Sequence, residues 1–311
     1  MRTLRHHFHT RSFLGTAVRA ICGLFAATGV FAGLTVHPAS ADFISSELGT
    51  AANFALLETD GGNVSLANAS SAGFITGNVG INAGNFSDSG VPINGNFIYG
   101  TAASGISSAT GNVTGVIVQD QATLTAAANA AASASSTFAG LAPTLSNTSI
   151  SGTTTINLAP GVNVADLTSV NLGHNDFLTL NGPTGSEIIL NDTGGVKLNS
   201  GKIVLTGGLT ANDVVFNITG TSPFATSGGL GNESVADGIF LALDAQIHLT
   251  PGAVAGEIIS GRNINIAAGG SVVGVPARLI GHGFPVLLAV GGLLLGPKLL
   301  ERGKKQRLQL G

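Results

Sequence analysis

Charge is scarce in this chain. Only 9% of its 311 residues are Asp, Glu, Lys or Arg, aromatic residues make up 5%, and there is no tryptophan. Between residues 42 and 277 the only basic residues are Lys197, Lys202 and Arg262, set against fifteen acidic ones, a formal charge of −12. A surface that tracks nucleic-acid phosphates needs a basic patch, so nucleic-acid binding is excluded. The single cysteine, Cys22, falls inside the N-terminal segment read below as a signal, which excludes disulfides and thiol chemistry from the processed protein. Low charge could mean disorder, but Val, Ile and Leu are abundant enough to build a core.

Residues 1–41 are read as a secretory signal peptide. Arg2, Arg5, Arg11 and Arg19 give a basic start, a mostly apolar run covers 20–36, and Ala39-Ser40-Ala41 supplies a small-x-small cleavage site. Cleavage is expected between Ala41 and Asp42. Residues 278–311 are read as a transmembrane anchor with a basic cytoplasmic tail. No formally charged residue occurs from Leu279 to Pro297, and Lys298, Arg302, Lys304, Lys305 and Arg307 follow.

The exported body, 42–277, has one stretch with helical character, 119–142. It is Ala-rich, has no Gly before Gly140 and ends near Pro143. Leu124, Ala128, Ala131, Ala134, Phe138 and Leu141 form its apolar stripe, with Thr125, Asn129, Ser133 and Ser136 on the other side. A stripe of alanines is shallow, so the helix should lie against a flat sheet. The rest alternates apolar positions at period two, as in Leu178/Leu180, Val196/Leu198, Ile239/Leu241/Leu243 and Ile264/Ile266, with Gly- and Asn-rich turns between. Polar–Gly–Asn–apolar motifs recur at Gly77-Asn78, Gly95-Asn96 and Gly111-Asn112, spaced by 18 and 16 residues. A β-sandwich and a parallel solenoid both fit such strands. Short strands, repeating Gly/Asn corners and few aromatics favour stacked coils. In stacked coils Asn78, Asn96 and Asn112 would form a ladder, each amide bonding the coil beside it.

The segments LGTAANFALL (48–57) and ITGNVGINAG (75–84), followed by the Ala-rich helix, resemble the opening of the bacterial ice-binding-like β-solenoid family. That resemblance implies a mainly β fold: a right-handed parallel β-solenoid with one long α-helix packed alongside. The segments 205–220 and 249–259 are similar to exported, carboxy-anchored surface proteins of the choice-of-anchor type. The C-terminal arrangement resembles the sorting signals of Gram-negative surface proteins, although Val275-Pro276-Ala277-Arg278 lacks the Glu-Pro half of their Val-Pro-Glu-Pro motif.

Catalytic constellations are not evident. His174 lies in a Gly-His-Asn-Asp turn, and His248 alternates away from Ile247 and Leu249. Asp237, Asp244 and Glu257 are too scattered for a carboxylate pair. The segment 191–195, Asn-Asp-Thr-Gly-Gly, lacks the alternating oxygen ligands of a calcium loop, and no Ser stands in Gly-x-Ser-x-Gly. No enzyme activity, cofactor or metal is expected. Thr153 and Thr155 in one cluster, and Thr206 and Thr210 in another, are the candidates for a flat binding face. These features predict a non-enzymatic exported protein, held to the membrane by its C-terminal helix, that contacts extracellular matrix or other surfaces. The alternative is ice binding through a flat Thr/Ser/Asn-rich face.

Overall fold

The computed structural model describes residues 43–275 except 68–72, 147 and 230. The expected signal segment with Ala41 and Asp42, and the expected anchor over 278–311, lie outside the described residues. No helix among the described residues is long and apolar enough to cross a membrane.

Short strands stack in parallel into one 15-stranded and one 8-stranded sheet. The first of these folds into two faces, so the coil has three. The corner is made in the two long strands Ser234–Ala242 and Gly252–Ser260, where Gly238 and Gly256 take φ of 138° and 144°. Those angles favour glycine, and a Cβ at Gly256 would run into the carbonyl of Gly238 on the neighbouring coil.

Chain order and stacking order differ. The coils built from Leu56–Glu58 onward stack outward and end at Ile117–Gln119. A helix then carries the chain to the opposite end, where Ile150–Ser151 and Thr154–Asn157 begin a second series that winds back. The last coils dock on the first: Gly252–Ser260 pairs with Leu56–Glu58, and Ile264–Ala267 with Val64–Ala67. The buried hydrophobic residues form two layers, one inside the coils and one between the coils and the helix. Inside, Phe216, Phe240 and Phe224 stack from coil to coil, with centroids 4.9 and 4.0 Å apart and planes within 8°.

Helix α1 spans Phe43–Leu48 and helix α2 spans Gln121–Ala139. The expected helix, 119–142, is thus shorter at both ends. Ile117–Gln119 is drawn into the sheet as a strand, and Asp120 caps the helix by accepting from Thr123 N at 3.0 Å and Thr123 Oγ1 at 2.6 Å. Gly140 closes the other end. The buried stripe is Leu124, Ala127, Ala131, Ala134 and Phe138. Ala127 takes the place expected for Ala128, which is half-buried, because the 3.6-residue period drifts over five turns. This stripe packs on Val164, Ile189, Val215, Leu241 and Ile259, which point out of the coils. Ile239, Leu241 and Leu243 therefore face the helix, while Phe240 fills the coil interior.

A polar ladder threads the same seam. Asn217 Nδ2 donates to Asn191 Oδ1 (2.9 Å) and to Ser135 O (3.0 Å), and Asn191 Nδ2 donates to Phe138 O (2.9 Å). The expected Gly-Asn ladder is present for two members. Asn96 N donates to Asn78 Oδ1 (3.2 Å), and Val116 N to Asn96 Oδ1 (3.1 Å). Asn112 is not the third member: it donates to Asp88 Oδ2 at 2.9 Å. The coil equivalent of Gly77 and Gly95 is Gly115, because the turn over Ile106–Ala109 displaces the register.

Candidate functional site

The first face lies under α2. The other two are open, and they carry the candidate residues. On the second face, Thr154–Asn157, Phe177–Asn181 and Lys202–Thr206 are consecutive strands, followed by the first halves of the two long strands and by Ser271–Val273. Thr153 and Thr155 both point outward there and are exposed. Thr155 stands beside Thr179, but Thr179 stands beside Val204. Thr153 stands beside Phe177, whose N–H donates to Thr153 Oγ1 at 3.3 Å, and Phe177 beside Lys202. The hydroxyl rank therefore ends after two coils.

Thr206 shares this face in a neighbouring column. Its hydroxyl donates to Asn181 Oδ1 at 3.1 Å, and Asn181 Nδ2 donates to Asn157 Oδ1 at 2.9 Å. Thr210 does not belong to the face. It caps the turn over Ala211–Asp213, with Thr210 N and Thr210 Oγ1 both donating to Asp213 Oδ2 at 2.6 and 2.7 Å. Spacing alone paired Thr206 with Thr210; the insertion between the strands carries Thr210 off the sheet.

What alternation did not reveal is the company these threonines keep. Phe74, Phe177 and Val273 are exposed at 37, 38 and 39% on this face. Val204, Val235, Ala253 and Ala255, partly exposed, lie between them. Two charges interrupt the surface, Lys202 and Asp237, and burial raises the Asp237 carboxyl above its ordinary range. The signal was present in the sequence: Phe177 precedes Leu178 by one position and must point the other way.

The third face is polar. Ser151, Asn171, Lys197, Ala225, His248, Asn265, Ser65 and Ser87 succeed one another along its central outward column, which contains no threonine. His248 Nε2 lies 2.9 Å from Gln246 Oε1, and His174 Nδ1 lies 2.7 Å from Asn232 Nδ2, so both histidines have local partners.

Buried acids sit elsewhere and serve the fold. Glu58 Oε1 accepts from the N–H groups of Asp60 and Gly62, and Oε2 from those of Asn82, Ala83 and Gly84, at 2.6–3.2 Å. This carboxylate fastens two successive corners. Glu257, 1% exposed and level with Ile239, has no partner for Oε2, and burial raises its carboxyl well above the usual range. No group of three or more His, Cys, Asp or Glu among the described residues could hold a metal ion.

Residues 43–272, nearly the whole described solenoid, match the profile of an ice-binding-like adhesive domain. The chain belongs to that family. The ice-binding-like adhesive domain shares its fold with solved ice-binding proteins. One from an Antarctic Flavobacteriaceae bacterium has a TM-score of 0.55 and 22% identity, over 76% of this chain and 48% of that one. One from an Arctic yeast has a TM-score of 0.52 and 23% identity, over 73% and 93%. A third, from an Antarctic biological consortium, has 0.51 and 19%, over 73% and 89%. At these identities the likeness extends to the fold alone. No curated protein matches the chain.

Proposed function

We propose that this ice-binding-like adhesive domain is a non-enzymatic adhesin, exported and carried at the cell surface, that contacts apolar or amphiphilic material through its second face. The observation that carries the reading is the outward column Thr153–Phe177–Lys202–Val235. Its one hydroxyl gives way at once to the exposed ring of Phe177, and beyond Lys202 the partly exposed Val235 continues the apolar surface. Exposed apolar residues grouped on one face mark a contact surface. The membrane-anchored display expected from residues 278–311 suits this role, since the apolar run and the basic cluster after it would leave the solenoid outside.

One observation favours ice binding as a second reading: Thr153, Thr155 and Thr179 form a small outward hydroxyl patch in the fold that solved ice-binding proteins share. The patch spans only two coils, which ranks this reading second. Attachment of cells displaying the full chain tests the first. Phe74→Ser with Phe177→Ser should lower attachment to hydrophobic plastic while surface display stays unchanged. Equal attachment by parent and variant would overturn the reading.

A further inference from the structure

The two ends of the solenoid are finished differently. At one end the chain covers the edge of the helix-side strand Gly161–Leu167: Thr144 N and Leu145 N donate to Val164 O at 2.9 and 3.0 Å, and Val164 N donates to Thr144 Oγ1 at 2.9 Å. At the other end, Ile117–Gln119 is the last strand of the sheet, paired only with Phe97–Tyr99 among the described residues. Its neighbours bond inward. Val116 O accepts from Phe97 N (2.8 Å), Val116 N donates to Asn96 Oδ1 (3.1 Å), and Asp120 N donates to Tyr99 O (3.0 Å). In a parallel ladder the backbone groups alternate between the two sides. Ile117 and Gln119 therefore turn both their N–H and their C=O outward.

The edge also lacks the usual protections. Natural open edges carry lysine, proline or a bulge that discourages pairing. Here residues 89–119 contain no charged residue, and the last proline before the edge is Pro92. Val116, Ile117 and Val118 are 62, 39 and 41% exposed. An uncharged edge meets no like-charge repulsion from an identical one.

We propose that this edge pairs with the same edge of a second copy, antiparallel about a two-fold axis at Val118. That register is self-complementary. Ile117 faces Gln119 of the second copy and Gln119 faces its Ile117, so two hydrogen-bonded residue pairs, with four N–H···O bonds, flank a central Val118–Val118 contact. Asp120 falls opposite Val116 of the second copy, away from its Asp120. Because the same edge is used by both copies, the interface is isologous and closes at a dimer. The result is one sheet continuous through two solenoids, with the helix-covered faces of both copies on the same side.

The full-length chain carrying Cys22→Ser and Val118→Cys tests this. Residues facing one another in a non-hydrogen-bonded antiparallel pair have Cα atoms about 4.5 Å apart, inside the range of about 4.4–6.8 Å that a disulfide spans. Under mild oxidation Val118→Cys should give a disulfide-linked dimer on non-reducing gels. Val162→Cys, equally exposed at 42% near the covered end, should stay monomeric. Adding Gln119→Pro removes an N–H that faces the open edge and none that bonds Phe97–Tyr99. It should abolish the Val118→Cys dimer while leaving thermal unfolding near that of the parent. Cross-linking at Val118 no greater than at Val162, or a dimer undiminished by Gln119→Pro, would overturn the proposal.

Discussion

Asn217 and Asn191 stand on adjacent coils, and the amide of the first donates to the carbonyl oxygen of the second at 2.9 Å beneath the long helix. Ser135 closes the arrangement from above: Ser135 Oγ donates to Asn217 Oδ1 (2.7 Å), and Ser135 O accepts from Asn217 Nδ2. Asn217 is fully buried, so its amide has no water to turn to. Asn217→Ala should cost about 2–3 kcal/mol, from a small cavity and from leaving Ser135 and Asn191 short of partners. Chemical denaturation of parent and variant measures this. The next residue along the column, Leu241, packs on the same helix without polar partners, so Leu at 217 should recover part of the loss.

The docking of the helix can be probed from the opposite side. Phe138 is fully buried and meets Phe43 edge-on at 6.1 Å, whereas Ser136 is exposed. Phe138→Asp should lower stability by several kcal/mol, because it buries an unpaired carboxylate and removes a core ring. Ser136→Asp should change it by about half a kcal/mol or less. Thermal unfolding distinguishes these outcomes, and equal effects would mean that the helix does not rest on the sheet.

Much of this architecture is legible in the residues. The Ala stripe marks the helix, and the spacing of Gly77-Asn78 to Gly95-Asn96 marks a coil. Gly111-Asn112 misleads because local dipeptide composition does not distinguish a coil corner from a turn inside a longer coil. The stacking of Leu56–Glu58 between Gly252–Ser260 and Val79–Ile81 has no local signature at all. It depends on pairings across about two hundred residues that only the closed core specifies. Ile239 and Leu241 hide their orientation because a strand covered by a helix is apolar on both sides. The candidate face is half visible: Thr153 and Thr155 share it as alternation predicts, while Thr210 belongs to a cap and the outward Phe74 and Phe177 emerge only once the strands are in register.

Asp192 gives the fold a pH dependence. Its side chain is fully buried. Oδ1 accepts from Gly194 N at 3.0 Å, Oδ2 has no partner, and burial pushes the carboxyl up from 3.8 to about 6. The folded state therefore binds the proton more tightly than the unfolded one. Stability is highest below about pH 3.8 as far as this group is concerned, falls as pH rises toward 6, and is level above. The loss is on the order of 2–3 kcal/mol. Asp192→Asn should flatten that slope and raise the unfolding midpoint at pH 7. A slope unchanged in the variant would place the titration elsewhere.

Ice binding requires a regular face and no pocket, so it is open to direct measurement. The broken rank at Thr153–Phe177 and Thr179–Val204 predicts little or no thermal hysteresis from the purified exported protein, with or without chelator. Should activity appear, Thr153→Tyr with Thr155→Tyr ought to remove it without unfolding the protein, since outward strand positions accept aromatic residues.

The central claim is that the second face holds apolar surface through its exposed side chains, and retention of the purified protein on defined monolayers tests it most directly. The account predicts stronger retention on a methyl-terminated than on a hydroxyl-terminated layer, little affected by salt because the face carries few charges. Phe74→Ser with Phe177→Ser should weaken retention on the methyl layer by roughly tenfold or more, since each partly exposed ring offers about 1–2 kcal/mol of apolar area to bury. Equal retention on both layers, or retention unchanged in the double variant, would contradict it.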